Sequence, residues 1–175
     1  MMETIETARL RIRAASREEM EGLIGSEADD ALKAAYAEML SGCLGDPGRW
    51  GWHAAWMIEL EDGTHVGEAC FKGLGPDGVA EIGYGILEGH RGHGYATEAV
   101  EALSGWAFRD PSVVALEAEA DMGNTASRRV LEKCGFIPTG TTGEEGPRYR
   151  SVRRWIRAPR GGAPSDIVLM EGDAR

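Results

Sequence analysis

Cysteine is scarce in this chain, which has three in 175 residues: Cys43, Cys70 and Cys134. They form no C-x-x-C pair, and no apolar run has the character of a secretory or membrane-spanning segment. The four histidines lack the spacing of a metal site. We therefore predict no disulfide framework, no metal site and a reducing, cytoplasmic location without membrane association.

Positive charge is also in short supply, because 19 lysines and arginines are set against 29 aspartates and glutamates, for a formal charge of -10. This balance argues against an extended nucleic-acid or anionic-membrane surface and favours cationic partners such as amines. Residues 146–160 are the exception, with six arginines and no acidic residue. The arginine-rich segment 148–160 is either an RNA contact or a solvated strand, and we favour the solvated strand.

The periodicity of apolar residues predicts one mixed α and β domain over residues 1–175. The predicted strands lie in "TARLRIRAAS", "HAAWMIEL", "THVGEACFKG", "VAEIGYGIL", "SVVALEAEA", residues 149–157 and residues 166–171. The predicted helices run from 17 to about 24, from 27 to 40, from the glycine stretch to Pro111 and along "NTASRRVLEKCGF". We expect about seven strands in a mostly antiparallel sheet flanked by helices, with one parallel pair.

Glycine is concentrated in "EGHRGHGYATEA", residues 88–99, between a predicted strand and a predicted helix. A helix start has unpaired N–H groups and partial positive charge, so it can bind a phosphate or pyrophosphate. Gly92 and Gly94 allow close approach and positive φ, and Ala96 is small. The alternative is a plain strand-to-helix turn. The stretch lacks the Lys-Ser/Thr ending of a nucleoside-triphosphate loop and the full dinucleotide fingerprint, so neither ATP nor NAD is supported.

A second motif, "NTASRRVLEKCGF", follows one strand and one helix later. Together with "TARLRIRAAS", "VGEACFKG" and "AEIGYGILEGHRGHGYATEAV", it resembles the GCN5-related N-acetyltransferase (GNAT) superfamily, most closely the RimJ/RimL-type group that acetylates ribosomal-protein N-termini and various small amines. The resemblance implies an α/β domain of the α+β type, the GNAT fold, whose sheet splays around an acetyl-CoA site.

The resemblance also assigns residues to acetyl-CoA. The backbone of the glycine stretch would bind the pyrophosphate, through Arg91, Gly92, His93, Gly94, Tyr95 and Ala96. The pantetheine arm would pair with the backbone of Gly85, Ile86 and Leu87, which would also supply N–H groups to the oxyanion. Gly83 and Gly85 suit either a bulge that opens the gap or tight packing.

The implied reaction is direct attack of a primary amine on acetyl-CoA through a tetrahedral intermediate, which needs a base and an acid. Glu81 and Glu119 are the candidate bases, with water as the alternative. Many relatives use a tyrosine acid where this chain has Leu131, so Ser127 or water is the expected proton donor. Asn124 faces the pantetheine arm, caps its helix, or both.

The acceptor is expected to be a protein N-terminal α-amine or a small-molecule amine. Deprotonating a lysine (pKa about 10.4) at neutral pH costs roughly 3.5 kcal/mol more than deprotonating an α-amine (about 7.7–8.0), so a low-pKa amine is the easier target. Trp50, Trp52 and Trp56 either line the acceptor pocket or pack in the core. A non-catalytic acyl-CoA-binding regulatory module remains the alternative function, and a homodimer remains open because many relatives pair.

Overall fold

A computed structural model, which describes residues 3–152, gives this chain one sheet of eight strands in the order β1-β2-β3-β4-β5-β6-β8-β7. The strands are β1 (Thr4–Glu6), β2 (Leu10–Ala14), β3 (Ala55–Leu60), β4 (His65–Leu74), β5 (Val79–Ile86), β6 (Ala115–Glu119), β7 (Ile137–Thr142) and β8 (Pro147–Val152). All neighbours are antiparallel except β5 and β6, which are parallel. The predicted fold class is confirmed, with eight strands instead of about seven.

Four α-helices flank the sheet, and most of them start where the sequence provides a cap. They are α1 (Arg17–Ser26), α2 (Asp30–Gly45), α3 (Tyr95–Ala107) and α4 (Thr125–Lys133). Ser16 and Glu19 form a reciprocal capping box at α1, and Asp29 and Asn124 cap α2 and α4. Among residues 3–152, no side chain caps α3, whose cap position is occupied by Gly94.

The main core lies on the face of the sheet that α3 and α4 cover. Trp56, Phe71, Ile82 and Leu116 alternate inward from their strands and are at most 1% exposed. Leu131 of α4 packs among them and is also fully buried. A smaller core forms on the other face, where α1 and α2 cover part of the sheet; its buried members are Ala15, Met20, Tyr36 and Ala55.

Strands β5 and β6 separate soon after they pair. Their register covers three residues and ends at Glu81 opposite Glu117. Beyond that point β5 continues to Ile86 beside β4, and β6 continues to Glu119 beside β8. Within residues 3–152, the edge of β5 from Ile82 to Ile86 therefore has no strand partner on its β6 side. This opening is the splay that the sequence predicted.

The structure corrects the predictions at both ends of the sheet. Strands β1 and β7 were not predicted. The residues of β7, "IPTGTT", are all exposed and show no apolar alternation. The predicted strand at 149–157 overlaps β8, whereas its predicted partner at 166–171 lies outside the described residues. No bulge occurs at Gly83 or Gly85, which pair regularly with Cys70 and Glu68. The gap comes from strand divergence instead.

The position of Leu131 gives a stability test. Because its side chain is fully buried, we expect Leu131→Ala to lower the free energy of unfolding by about 2–5 kcal/mol, measured by urea denaturation. Leu44→Ala is the control, because Leu44 is also in a helix but is 48% exposed, and it should change far less. Equal effects would mean that Leu131 does not pack in the core.

Candidate functional site

The loop between β5 and α3 leaves backbone N–H groups uncovered at a helix start. Gly92 and Gly94 have φ of +80° and +81°, as the sequence predicted. No side chain among residues 3–152 caps α3, although α1, α2 and α4 are each capped by a side-chain oxygen. A Cβ added at Gly92 would contact nothing within 4 Å. The first turn of α3 therefore has donors available to an anion.

Arginine and glutamate side chains hold this loop in place. Arg9 donates to the His93 carbonyl at 2.8 Å and pairs with Glu98 of α3 at 2.7 Å. Glu98 also accepts a 2.6 Å hydrogen bond from the Thr7 hydroxyl. On the other side, the Arg91 Nε donates to the Ile86 carbonyl at 3.0 Å. These bonds tie the start of α3 to the N-terminal strands and to the end of β5.

A cavity of about 300 Å³ lies between the loop, the open edge of β5 and the start of α4, and we call it the glycine-loop cavity. It brings together most of the residues that the sequence assigned to acetyl-CoA. Its lining residues are Tyr84, Gly85, Ile86, His90, Arg91, Gly92, Gly94, Tyr95, Ala96, Asn124, Ala126 and Ser127. Two assigned residues, Leu87 and His93, lie beside this cavity instead of lining it.

Hydrogen bonding along β5 shows which backbone groups face the opening. The Leu87 N–H donates to the Val66 carbonyl of the neighbouring strand at 2.9 Å. The backbone N–H and C=O groups of successive strand residues point to opposite sides. Those of Gly85 therefore point towards β4, like those of Leu87, whereas those of Tyr84 and Ile86 point into the gap. The backbone groups of Gly85 and Leu87, which the resemblance assigned to the pantetheine arm, therefore face β4 and not the gap. Gly85 has no side chain and leaves the space beside it open, because an added Cβ would contact nothing within 4 Å.

Helix α4 brings a hydroxyl group to the same gap. The Asn124 side chain accepts a 3.0 Å hydrogen bond from the Ser127 N–H, so its predicted capping role is confirmed. The Ser127 Oγ lies 2.9 Å from the Tyr84 hydroxyl, which also donates to the Ser127 carbonyl at 3.1 Å. Burial raises the pKa of Tyr84 to about 12, although its hydrogen bond to Ser127 opposes the increase. Tyr84 is therefore protonated at neutral pH.

A second cavity, of about 240 Å³, lies on the α2 side of the gap, and we call it the carboxylate cavity. Both predicted bases, Glu81 and Glu119, line it. The two cavities share Tyr84 and Ser127, so this hydroxyl pair forms the boundary between them. The remaining lining residues are Leu32, Tyr36, Met39, Ala55, Glu68, Ala69, Cys70, Lys72, Ile82, Gly83 and Glu145.

Cations hold both predicted bases in ion pairs. Glu81 lies 2.5 Å from Lys72 Nζ and 3.4 Å from Arg148. Glu119, whose side chain is 3% exposed, pairs with Arg148 and accepts the Glu145 N–H at 2.7 Å. These contacts, first the Glu145 N–H and then Arg148, hold the pKa of Glu119 below its ordinary value. Glu119 is therefore ionised, and both carboxylates are fixed in position.

Several residues of this site were missed from the sequence. Tyr84 occupies the inward-facing position between Gly83 and Gly85, and the alternation of Ala80, Ile82 and Tyr84 was a signal for it. Arg148 is part of the basic segment that was interpreted only as solvated or RNA-binding. The signal there was its register opposite Glu119 on β6, which required knowledge of the β6–β8 pairing.

The tryptophans predicted as alternative pocket residues do not line the carboxylate cavity. Trp52 and Trp56 are at most 4% exposed and pack against Trp106, with ring centroids 4.8 and 4.9 Å away. Trp50 donates from its indole to the Ala15 carbonyl at 2.8 Å. The core interpretation is therefore correct, and the pocket interpretation is wrong.

Within residues 3–152, no group of three or more histidine, cysteine, aspartate or glutamate side chains is placed to hold a metal ion. In the same residues, no helix combines the length and apolar character needed to cross a membrane.

The splayed sheet, with an uncapped helix start at its gap, defines an α+β protein with the architecture of acyl-CoA-dependent acetyltransferases. A family model for the acetyltransferase (GNAT) domain matches residues 7–137, so the chain belongs to the GNAT family. The uncharacterized N-acetyltransferase YjdG of Bacillus subtilis is 37% identical over 86 residues, which cover 47% of this chain and 51% of that protein. The chain thus spans about half the length of this curated relative.

Solved structures share the fold over most of the chain. An acetyltransferase from Agrobacterium tumefaciens has a TM-score of 0.64 at 27% identity and covers 86% of this chain and 95% of its own. The ribosomal L7/L12 alpha-N-protein acetyltransferase RimL, in complex with coenzyme A, has a TM-score of 0.68 at 18% identity and covers 86% and 98%. The family assignment from the sequence is confirmed, and RimL is among the structures that share the fold.

Glu119 gives a pH test of this electrostatic arrangement. Because folding lowers its pKa, its ionised form stabilises the folded state above about pH 4.5, and this stabilisation is lost as the pH falls through the folded pKa. We expect the free energy of unfolding of the wild type to fall more steeply between about pH 6 and pH 3 than that of Glu119→Gln, measured by urea denaturation. Parallel curves would contradict the ion-paired geometry.

Proposed function

We propose that this protein transfers an acetyl group from acetyl-CoA to a primary amine. The observation that carries the proposal is the boundary between the two cavities. The glycine-loop cavity has donors for an anion, the carboxylate cavity has fixed negative charge for an amine, and both contain the hydroxyl groups of Tyr84 and Ser127. Membership of the GNAT family supports the same reaction.

The residues of the glycine-loop cavity fit acetyl-CoA. The N–H groups at the start of α3, with the backbone from Arg91 to Ala96, would hold the pyrophosphate, because no side chain among residues 3–152 caps this helix. Ile86 and Tyr84 would offer backbone groups to the pantetheine amides along the open edge of β5. Acetyl-CoA supplies the thioester carbonyl that the amine nitrogen attacks directly, which yields the N-acetyl amine and the coenzyme A thiol.

Ser127 and Tyr84 are proposed to protonate the departing thiolate of coenzyme A. The Ser127 hydroxyl lies at the boundary of the cavities and is hydrogen bonded to the Tyr84 hydroxyl. Since the raised pKa keeps Tyr84 protonated, this side chain can orient the Ser127 hydroxyl and return a proton to it. The hydroxyl pair thus takes the place of the tyrosine expected at the position of Leu131, whose side chain is in the core.

The base is proposed to come from the carboxylate cavity, directly or through water. Glu119 is the weaker candidate, because its lowered pKa reduces its affinity for a proton. Glu81 lies in the same cavity, held by Lys72 and Arg148, and is the stronger candidate. An acceptor amine of low pKa, such as an α-amine, needs the least help from a base and is therefore the favoured acceptor.

The shared fold supports, at a general level, a protein N-terminal α-amine as the acceptor. RimL is described as an alpha-N-protein acetyltransferase of ribosomal L7/L12, and this chain shares its fold at 18% identity. A peptide N-terminus is therefore the first acceptor to test, with small-molecule amines second. A cytoplasmic location and a homodimer remain predictions.

The decisive experiment incubates the protein with acetyl-CoA and a panel of peptides and small amines, and detects acetylation by mass spectrometry. Acetylation of at least one amine is expected. Tight binding of coenzyme A without turnover on any amine would instead favour a non-catalytic acyl-CoA-binding module.

Gly94→Val tests the coenzyme site in the same preparation. A branched side chain at the start of α3 would block two or three hydrogen bonds from N–H groups to the anion, so we expect coenzyme A affinity to fall on the order of 100-fold or more, measured by calorimetry. Gly140→Val is the control for the backbone conformation, because Gly140 has φ of +80° but lies in β7, where an added Cβ would contact nothing within 4 Å. Equal affinity in both variants would remove this loop from the site.

The hydroxyl pair predicts non-additive kinetics. We expect Ser127→Ala to lower kcat by about 10²-fold or more, Tyr84→Phe to lower it less, and the double variant to resemble Ser127→Ala alone, because Tyr84 acts through Ser127. The measurement is steady-state kcat and KM for the best acceptor. Multiplicative effects of the two substitutions would show that the hydroxyls act independently.

A further inference from the structure

The carboxylates of the carboxylate cavity differ in how their charge is balanced. Glu81 and Glu145 both pair with Lys72, at 2.5 and 3.4 Å, and Glu81 also lies near Arg148. Glu119 pairs with Arg148. Three of the four glutamates that line this cavity therefore have a lysine or arginine partner.

Glu68 is the fourth glutamate, and its partners carry no fixed positive charge. Its Oε2 accepts a 2.6 Å hydrogen bond from the Tyr36 hydroxyl, and its Oε1 lies 3.6 Å from His65 Nε2. No lysine or arginine in the described part of the chain forms an ion pair with it. Its side chain is 28% exposed, so the cavity wall has an accessible negative charge that the protein itself leaves unbalanced at this position.

The carboxylate cavity contains both this charge and the hydroxyl pair of Tyr84 and Ser127. Glu68 is opposite Gly85 in the β4–β5 register, one position from Tyr84 along β5, and on the same sheet face as Cys70 and Lys72. Tyr36 reaches it from α2 and is itself only 6% exposed. A buried tyrosine on a packed helix thus fixes the orientation of the carboxylate within the cavity.

We propose that Glu68, oriented by Tyr36, binds a second positively charged group of the acceptor, so that the preferred acceptors are amines that carry an additional cation. This proposal rests on the proposed function and names its substrate class. A second positive charge also lowers the pKa of the reacting amine, which makes its deprotonation easier.

The site has room for an acceptor longer than a single short amine. A third cavity, of about 500 Å³, shares Met39, Cys70 and Lys72 with the carboxylate cavity. The space available to a long acceptor therefore continues along α2 past Lys72, whereas Glu68 lines the carboxylate cavity itself.

The test uses matched acceptors that differ only in the second charge. Linear diamines of three to eight carbons are compared with monoamines one carbon longer, in which a methyl group replaces the second ammonium. We expect the wild-type kcat/KM for the best diamine to exceed that for its matched monoamine by about 10-fold or more. We expect Glu68→Gln to lose this preference. Glu101→Gln, an exposed α3 position, is the control and should keep it.

Binding of the same pairs is measured by calorimetry with coenzyme A present, which separates this proposal from the proposed function. Discrimination in binding that Glu68→Gln removes supports the cation subsite even if no amine is acetylated. Two results overturn the subsite and leave the proposed function intact. In one, the wild type acetylates diamine and monoamine equally well; in the other, Glu68→Gln keeps the wild-type preference for the diamine.

Tyr36→Phe tests the orienting role. We expect it to raise KM for the diamine several-fold, with little change in KM for the monoamine or in kcat, because the carboxylate keeps its charge but loses its fixed position. Glu68→Asp should retain part of the diamine preference. A uniform change for both acceptors in Tyr36→Phe would indicate a merely structural role and contradict this assignment.

Discussion

The separation of β5 from β6 is the constraint on which the site depends. Three residues of parallel pairing hold the strands together, and after Glu81 and Glu117 each strand follows its outer neighbour. The divergence exposes the polar groups of Tyr84 and Ile86 on one side and directs α3 and α4 to the two sides of the opening. A continuous sheet would have paired these backbone groups and closed the cavity.

Arg148 is the main side-chain link across this opening. Its guanidinium contacts Glu81 on β5 and both Glu117 and Glu119 on β6. A planar guanidinium has several N–H donors and can pair with more than one carboxylate. Arg148 of β8 therefore pairs with glutamates on both of the diverging strands. Arg148 thereby holds Glu81 and Glu119 in the carboxylate cavity, whereas the backbone of the glycine stretch lines the glycine-loop cavity.

Much of this arrangement could be predicted from the sequence because local patterns determine it. The capping box at Ser16, the parallel strand pair and the glycines of the β5–α3 loop depend on short-range spacing. Strands without apolar alternation, such as β7, carry no comparable signal. Tyr84, Glu68 and Arg148 depend on strand register and on helix packing, which are contacts between distant residues that one sequence does not specify.

The uncapped start of α3 links the occupancy of the site to the thermodynamics of the whole domain. A ligand that accepts hydrogen bonds from this turn pairs the free N–H groups of the folded chain. The unfolded chain has no such turn and therefore no such binding site. The folded state then gains stability with the logarithm of ligand concentration, once that concentration exceeds the dissociation constant. The melting temperature of this protein therefore reports the concentration of any ligand that binds at this turn.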